Sequence, residues 1–205
     1  VAQALGGTDL PTDVNFPPLY GNLPPEAQQA AIAPCPAGRR KVVLTTDIAE
    51  TSLTIDGVRV VVDSGLARRP RFGPASGLTR LETVRISRAS AVQRSGRAGR
   101  LEPGVCLRLW TTGDEAAMPE HSPAEILEAD LAPRALELAR WGADAGELAW
   151  LDPPPTAALA QGRDLLQRLG ALDDDGRLTA RGEAIAALGT HPRLAHLMLG
   201  GRRLG

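Results

Sequence analysis

Three short runs of apolar residues place the strongest limits on how this chain can fold. They cover Arg40–Thr45, Val58–Asp63 and Val105–Trp110. Continuous apolar runs joined by short connections are typical of parallel strands in a sheet that is covered on both faces. A helical segment with proline in its first turn, Pro24–Ala33, precedes the first run. The alternation predicts about half of an α/β domain of the nucleotide-binding type.

Two further elements are predicted between the second and third runs. Arg68–Ile86 contains two loosely alternating stretches around Gly73–Gly77, which indicates a β-hairpin inserted in the sheet. Ser87–Arg100 has a helical pattern, with Ser87 or Ser90 as its N-terminal cap.

After Trp110 the sequence becomes rich in leucine and alanine at helical spacing. Helices are predicted over Glu125–Trp141, Thr156–Leu169 and Ala180–Leu188. A turn at Asp173–Gly176 and a short extended segment precede the last of these. Helices followed by a turn, a short strand and another helix predict a small winged-helix-like domain, and a further helix begins at His191.

The net charge of −1 conceals a basic middle segment. Residues 39–100 carry thirteen bases and five acids, whereas residues 101–205 carry ten bases and sixteen acids. Clustered arginine is expected at a site for a polyanion. No apolar run of about 18 residues occurs, so no membrane span is expected. Cys35 and Cys106 lack a pairing motif, which favours a reducing cytosol, and the histidines lack partners at metal-ligand spacing.

The segment Gln93–Arg100 carries the most chemical information. On a helix, the side chains of Arg97 and Arg100 would project from one face and converge on a single anion. Gly96 and Gly99 have no side chains that would obstruct the adjacent backbone. Gln93 would project from about the same face, where it could orient a water. These groups suit phosphoryl transfer at a γ-phosphate. The alternative is a solvated basic helix surface.

A second segment, Thr45–Asp56, follows the first predicted strand and is rich in hydroxyl and carboxylate side chains. The carboxyl end of a parallel strand is the usual ligand position of an open α/β sheet. Hydroxyls and backbone amides there can hold phosphate oxygens without reading a base sequence. The alternative is a loop that only caps a helix.

These segments resemble motifs of the second RecA-like domain of superfamily 2 helicases of the DEAH/RNA helicase A group. The resemblance rests on Leu19–Leu23, Thr46–Ile55, Val62–Gly65 and Gln93–Arg100, in the family's order. Gly77–Ser87, Leu107–Trp110 and His191–His196 resemble bacterial members of the group, so that nearly the whole chain is covered.

The resemblance implies ATP with Mg²⁺ as cofactor and assigns roles to individual residues. In the family's motif VI the glutamine lies near the attacking water and the arginines contact the γ-phosphate; the matching residues here are Gln93, Arg97 and Arg100. Asp56 matches a contact to the nucleotide ribose. The nucleic-acid backbone would be bound by Gly21, Thr46, Asp47, Ser52 and Thr54.

Asp47 departs from the family, which commonly has asparagine there. A carboxylate repels a phosphate, so a direct phosphate contact is in doubt at this position. A hydrogen bond from a ribose hydroxyl is the alternative, and it would favour RNA.

The resemblance also implies a domain order. Residues 1–112 would form part of the second RecA-like domain, residues 113–188 a winged helix and residues 189–205 the start of a helical ratchet domain. Arg68–Ile86 would be a strand-separating hairpin. The expected partners are single-stranded nucleic acid, RNA more than DNA, and a first RecA-like domain in the same polypeptide of a bacterial cytoplasm.

No phosphate-binding loop of the Gly-x-x-x-x-Gly-Lys-Ser/Thr type occurs in the sequence. Asp114–Ala117 has the wrong fourth residue for an acidic box and follows the arginine segment, so it is interpreted as unrelated. Together with a start at Val1, this suggests part of a longer protein. ATP would be held mainly by the first RecA-like domain, and the chain alone is expected to be inactive.

Two other functions stay open from the sequence. One is a winged-helix adaptor that binds nucleic acid or protein beside a remnant nucleotide domain. The other is a docking surface formed by the acidic carboxyl-terminal part. A remnant is expected to have lost the arginine fingers, whereas Gln93, Arg97 and Arg100 are all present.

Overall fold

The computed structural model describes Leu5 and residues 11–51, 53, 55–100 and 102–202. The chain divides into two compact units. Unit 1 comprises Val1–Arg69 and Leu81–Ser122, and unit 2 comprises Pro70–Arg80 and Pro123–Gly205.

Unit 1 begins with a parallel β-α-β arrangement. Strands β1 (Val14–Asn15) and β2 (Pro18–Leu19) pair in parallel with β3 (Arg40–Lys41) and β4 (Leu44–Thr45), respectively. The helix Pro25–Ile32 connects β2 to β3, close to the predicted Pro24–Ala33.

The predicted strand Arg40–Thr45 is interrupted, and two prolines in its partner explain the interruption. The amides of Arg40, Val42, Leu44 and Thr46 donate in turn to the carbonyls of Asp13, Asn15, Pro17 and Leu19, at 2.9, 2.9, 3.0 and 3.2 Å. Pro17 and Pro18 have no N–H, so they cannot return a hydrogen bond. The pairing is therefore interrupted between Asn15 and Pro18 and forms two short ladders.

Strand β5 (Val60–Asp63) pairs in parallel with β8 (Val105–Arg108) over four residues. Between them, β6 (Leu66–Gly73) and β7 (Leu78–Arg85) form the predicted hairpin. Its turn ends at Gly77, whose φ of +64° suits glycine. The helix Arg88–Ser95 follows, and Thr112–Ala117 forms a short helix after β8.

The prediction that the sheet is covered on both faces is wrong for the described residues. Val60, Val62, Val105 and Leu107 are 58, 61, 57 and 52% exposed. They share one face, because Val60 is paired with Val105 and Val62 with Leu107. Side chains alternate along a strand, and the opposite face carries buried Asp63.

Unit 2 contains the predicted helices with one break. A single turn, Glu125–Leu127, precedes the helix Ala132–Trp141, where one helix over Glu125–Trp141 was expected. Pro133 lies in the first turn of that helix and has no N–H for a carbonyl four residues earlier, so the helix cannot extend backwards.

The remaining helices of unit 2 are Thr156–Arg168, Ala180–Ala187 and Pro192–Gly201. An antiparallel bridge between Leu172 and Leu178 closes the turn predicted at Asp173–Gly176. The core is formed mainly by leucine and alanine, with Leu138, Leu166 and Ile185 at most 1% exposed. Gly162 permits close helix packing, because a Cβ there would lie 3.0 Å from the nitrogen of Ala132.

Candidate nucleotide and nucleic-acid sites

The helix Arg88–Ser95 is shorter than the sequence predicts. The Ser87 hydroxyl caps it by accepting a hydrogen bond from the Ser90 amide at 3.1 Å. Beyond Ser95 the amides of Arg97 and Ala98 bond three residues back, to Arg94 and Ser95, each at 3.1 Å. Gly96 and Gly99 weaken a helix. Arg97 and Arg100 therefore lie in turns after the helix, and the expectation that both leave one helical face is wrong.

Arg97 contacts the second candidate segment. Its Nη1 donates to the carbonyl of Leu53 at 3.1 Å, and its Nη2 donates to the carbonyl of Glu50. Gln93 and Arg100 are exposed. In the described part of the chain, no hydrogen bond links Gln93 or Asp56 to Arg97. One residue of Gln93–Arg100 is thus hydrogen-bonded directly to the backbone of Thr45–Asp56.

The predicted nucleic-acid contacts lie at strand ends and turns. Thr46 is exposed after β4, and its amide donates to the carbonyl of Leu19. Gly21 is exposed in the turn after β2, with no atom within 4 Å of the place of a Cβ. Asp56 is exposed in a turn with Gly57, and Ser52 and Thr54 lie outside the described residues.

The structure places Arg94, which the sequence analysis did not single out, at the centre of an ionic cluster. Its Nε donates to Oε2 of Glu50 at 2.9 Å, Nη1 to Oδ1 of Asp63 at 2.9 Å and Nη2 to Oδ1 of Asp47 at 2.8 Å. Nη1 also lies 3.2 Å from the carbonyl of Leu66. One guanidinium therefore connects the helix to the Ile48–Thr51 helix region and to β5.

The cluster, comprising Asp47, Glu50, Asp63 and Arg94, is largely buried. Glu50 is 8% and Asp63 4% exposed. Glu50 Oε1 also accepts from the Ser90 hydroxyl at 2.7 Å, and Asp63 Oδ1 from the Gly65 amide at 3.0 Å. Burial alone would lower the pKa of Arg94, but its hydrogen bonds to Glu50 and Asp63 raise the pKa above the ordinary value.

A sequence signal for Arg94 existed. Ser87, Ser90 and Ala91 are small and buried, and Arg94 continues their spacing along the same helical face. A charged residue on a face of small buried residues needs an ionic partner. The partners themselves could not be found this way, because they lie 44, 31 and 47 residues away in sequence.

Asp47 faces Arg94, and Arg69 lies 4.0 Å from its other oxygen. Burial raises the pKa of Asp47 above its ordinary value; Arg94 and Arg69 lower it, but Glu50 and Asp63 raise it further. Arg94 is shared by three carboxylates, so its charge does not compensate for the burial of Asp47.

Asp47→Asn is expected to stabilise the chain increasingly as the pH rises. A carboxyl with a raised folded pKa favours folding below its unfolded pKa of about 4 and loses that contribution as the pH rises through the folded pKa. Asparagine keeps an oxygen acceptor for Arg94 and does not ionise. Urea unfolding at several pH values from 4 to 8 measures the difference, and a variant whose advantage shrinks with rising pH would contradict the raised pKa.

Asp114 and Glu115 are each hydrogen-bonded to neighbouring side chains of unit 1. Asp114 forms a capping box with Thr111 and an ion pair with Arg85 at 2.9 Å. Hydrogen bonds from the Thr111 amide and hydroxyl lower the pKa of Asp114. Glu115 accepts from Arg108 at 2.6 Å and from Trp110 at 3.3 Å.

Among the described residues, no group of three or more histidine, cysteine, aspartate or glutamate side chains is placed to hold a metal ion. Cys35 and Cys106 are free thiols. No helix that the structure describes is long and apolar enough to cross a membrane.

Two family models match the chain. Residues 3–102 match the helicase conserved C-terminal domain, and residues 163–189 match the winged-helix helicase-associated domain. The chain therefore carries a match to a helicase conserved C-terminal domain, followed by a match to part of a helicase-associated winged helix.

The chain is similar to ATP-dependent RNA helicase HrpB of Escherichia coli (strain K12), with 50% identity over 92% of the chain and 23% of that protein. It is 42% identical to probable ATP-dependent RNA helicase DHR2 of Saccharomyces cerevisiae, over 92% of the chain and 26% of that protein. The chain thus spans about a quarter of the length of these relatives.

Two crystal structures of E. coli HrpB have the same fold. One, described as a DExH-box NTPase, superposes with a TM-score of 0.83 over 91% of this chain and 23% of that chain. The other, described as a DEAH/RHA helicase, gives 0.86 over 91% and 24%, and both are 50% identical to this chain. The resemblance to bacterial members of the group, based on Gly77–Ser87, Leu107–Trp110 and His191–His196, is confirmed, as is a mixed α/β fold with parallel sheets and several helices.

Proposed function

We propose that the chain is the carboxyl-terminal core portion of an ATP-dependent RNA helicase. It supplies arginine side chains to ATP hydrolysis and backbone contacts to single-stranded nucleic acid. The observation that carries this proposal is the contact of Arg97 with the carbonyls of Glu50 and Leu53. It joins the two segments that resemble nucleotide and nucleic-acid motifs, in a chain 50% identical to an ATP-dependent RNA helicase.

In the proposed ATP site, Arg97 and Arg100 contact the γ-phosphate, Gln93 orients the attacking water and Asp56 contacts the ribose. Arg97 and Arg100 supply fixed positive charge to the phosphoryl oxygens. ATP and Mg²⁺ are held mainly by a first RecA-like domain, which supplies the phosphate-binding loop that this sequence lacks.

In the proposed nucleic-acid site, exposed Gly21 and Thr46 present backbone and hydroxyl groups to phosphates. Ser52 and Thr54 belong to the same predicted set. Oδ1 of Asp47 accepts a hydrogen bond from Arg94. The free lone pairs of the same carboxylate accept a hydrogen bond from a ribose hydroxyl in the proposed site. The excess of bases in residues 39–100 supports a polyanionic partner.

Binding of a fluorescent single-stranded RNA to the chain tests the nucleic-acid part of the proposal. Affinity is expected to fall about tenfold between 50 and 200 mM salt, because two or three of the basic side chains in residues 39–100 neutralise phosphates and release their counterions. Thr46→Ala is expected to weaken binding, whereas Thr190→Ala, at an exposed threonine outside the site, leaves it unchanged. Fluorescence anisotropy measures both. Affinity that is independent of salt would contradict backbone contacts.

The same RNA titration distinguishes the proposed helicase function from the winged-helix adaptor. A winged-helix adaptor binds through unit 2, so Thr46→Ala would then leave RNA affinity and its salt dependence as they are in the wild-type chain.

A further inference from the structure

A cavity of about 470 Å³ lies within unit 2. The hairpin tip, the segment before the helix Ala132–Trp141 and one face of the helix Thr156–Arg168 form its walls. All of the lining residues lie in Pro70–Arg80 and Pro123–Gly205, the two ranges that make up this unit. Pockets for small molecules typically enclose about 300–1,000 Å³. The cavity is therefore large enough for a ligand of the size of a mononucleotide.

The helix Thr156–Arg168 contributes one row of side chains to the cavity. Its members are spaced at three or four residues and therefore share a helical face: Ala158, Gln161, Leu165 and Arg168. The amide of Gln161 both donates and accepts hydrogen bonds, and the guanidinium of Arg168 donates them. The row thus begins with an apolar side chain and ends with a cation, and an amide lies between them.

The charged side chains of the cavity leave one positive charge uncompensated. Three arginines and two acidic residues line it. Arg71 pairs with Glu128 at 2.8 Å. Arg193 pairs with Asp130, also at 2.8 Å. Arg168 is exposed, and it has no hydrogen bond or ion pair to any residue that the structure describes. Its guanidinium is therefore available to a ligand that carries negative charge.

Both oxygens of the Asp130 carboxylate are engaged within unit 2. Oδ2 accepts from Arg193 at 2.8 Å and from Nε2 of His191 at 3.0 Å. Oδ1 accepts from the amide of Ala132 at 2.9 Å. Replacing Arg193 would break one of these contacts, because Arg193 is part of the structure that joins two helices. Arg168 can be replaced without the loss of a contact to a described residue, so it is the arginine that a binding experiment can test.

Phe72 places an aromatic ring at the hairpin side of the cavity. Its amide donates to the carbonyl of Glu128 at 3.4 Å, and the guanidinium of Arg193 lies 5.9 Å from the centre of its ring. A Cβ at Gly77 would lie 3.1 Å from Nη2 of Arg193, so glycine permits this close approach. Other apolar residues also line the cavity: Pro74, Leu127, Leu131 and Leu165. A planar ring fits such walls, because they bury its faces without leaving polar groups unpaired.

We propose that this cavity binds a free nucleoside monophosphate, with the phosphate at Arg168 and the base against the apolar walls beside Phe72. A planar guanidinium donates paired hydrogen bonds to phosphate oxygens. The amide of Gln161 binds a ribose hydroxyl or the edge of the base. The inference goes beyond the proposed function and does not rest on it, because none of the residues assigned there to ATP or nucleic acid lines the cavity.

Isothermal titration calorimetry of the 205-residue chain with adenosine 5′-monophosphate and with adenosine tests this inference. The wild-type chain is expected to bind the monophosphate about tenfold more tightly than adenosine, because only the monophosphate forms a charge-assisted pair with Arg168. Arg168→Ala is expected to abolish this preference, so that the two ligands bind with equal affinity. A wild-type chain that does not bind adenosine 5′-monophosphate at millimolar concentrations would overturn the inference.

Arg163→Ala is the matched control for Arg168. Arg163 is an exposed arginine of the same helix that pairs with Asp144 at 3.8 Å and lies outside the cavity. Its replacement is expected to leave the preference for the monophosphate as it is in the wild-type chain. A preference that survives in Arg168→Ala, or that falls equally in both variants, would show that Arg168 does not bind the phosphate and would refute the proposal.

A second pair of variants tests the cavity itself. Ala158→Phe places a larger side chain in the cavity and is expected to weaken the binding of both ligands about tenfold or more. Ala157→Phe, at the exposed neighbouring residue, is expected to leave both affinities unchanged. Unchanged affinities in Ala158→Phe, or an equal loss in Ala157→Phe, would place the ligand elsewhere and contradict the inference. Circular dichroism measures whether each variant folds, and if Ala158→Phe does not fold, the comparison of Arg168→Ala with Arg163→Ala decides.

Discussion

Replacing Arg97 with alanine is expected to lower ATP turnover by the complete helicase about 1,000-fold. A fixed guanidinium at the γ-phosphate accounts for a rate factor of at least this size in related phosphoryl transfers. Lysine at this position keeps the charge but not the planar pair of N–H donors, so Arg97→Lys is expected to recover only part of the rate. A steady-state assay of phosphate release measures both variants.

Arg88→Ala is the control for Arg97. Arg88 is exposed at the first residue of the helix that precedes Arg97, so its loss is expected to leave turnover unchanged. The 205-residue chain by itself is expected to show no ATP hydrolysis above background, because no phosphate-binding loop occurs in it. Turnover by the isolated chain that persists in the double variant Arg97→Ala, Arg100→Ala would refute the assigned role.

Replacing Arg94 with alanine is expected to lower the free energy of unfolding by about 3–5 kcal/mol. Removing one partner of a buried ionic cluster leaves the other charges without compensation. Here Asp47, Glu50 and Asp63 would lose their shared guanidinium, and the side chains of Glu50 and Asp63 are only 9 and 2% exposed. Arg94→Lys retains one positive charge but cannot reach three carboxylates from one planar group, so an intermediate loss is expected.

Urea unfolding of the chain followed by circular dichroism measures this loss. Arg88→Ala again serves as control and is expected to change stability by less than about 0.5 kcal/mol, as is usual for an exposed surface residue. A change of similar size in Arg94→Ala would contradict the assignment of Arg94 as the centre of the cluster. If Arg94→Ala does not fold, the free energy of unfolding of Arg94→Lys is compared with that of the wild-type chain instead. No loss in Arg94→Lys would contradict the assignment of Arg94 as the centre of the cluster.

Local signals predicted most of the elements, because caps and turns depend on neighbours in sequence. Ser87 caps the helix as expected, and the hairpin turns at Gly77. The end of that helix was missed, because the spacing of Gln93, Arg97 and Arg100 suggested one face of a continuous helix. Gly96 and Gly99 decide the local backbone there, and their weak helix propensity prevails over side-chain periodicity.

The two main failures concern contacts between distant segments. An apolar run such as Val58–Asp63 does not say which face of its strand is covered, and Val60 and Val62 are exposed in the structure. The family resemblance is confirmed, but the roles of Gln93, Arg97, Arg100 and Asp56 stay predictions. Arg94 was missed because its carboxylate partners are brought to it only by the sheet.

The hydrogen bond from the Thr46 amide to the Leu19 carbonyl fixes the spacing of two proposed contacts. Thr46 directly follows β4, and Gly21 lies two residues beyond the acceptor. A slip of one residue in this pairing would turn the side chains to opposite faces and shift Thr46 relative to Gly21. The distance between the two proposed phosphate contacts therefore depends on the register of this strand pair.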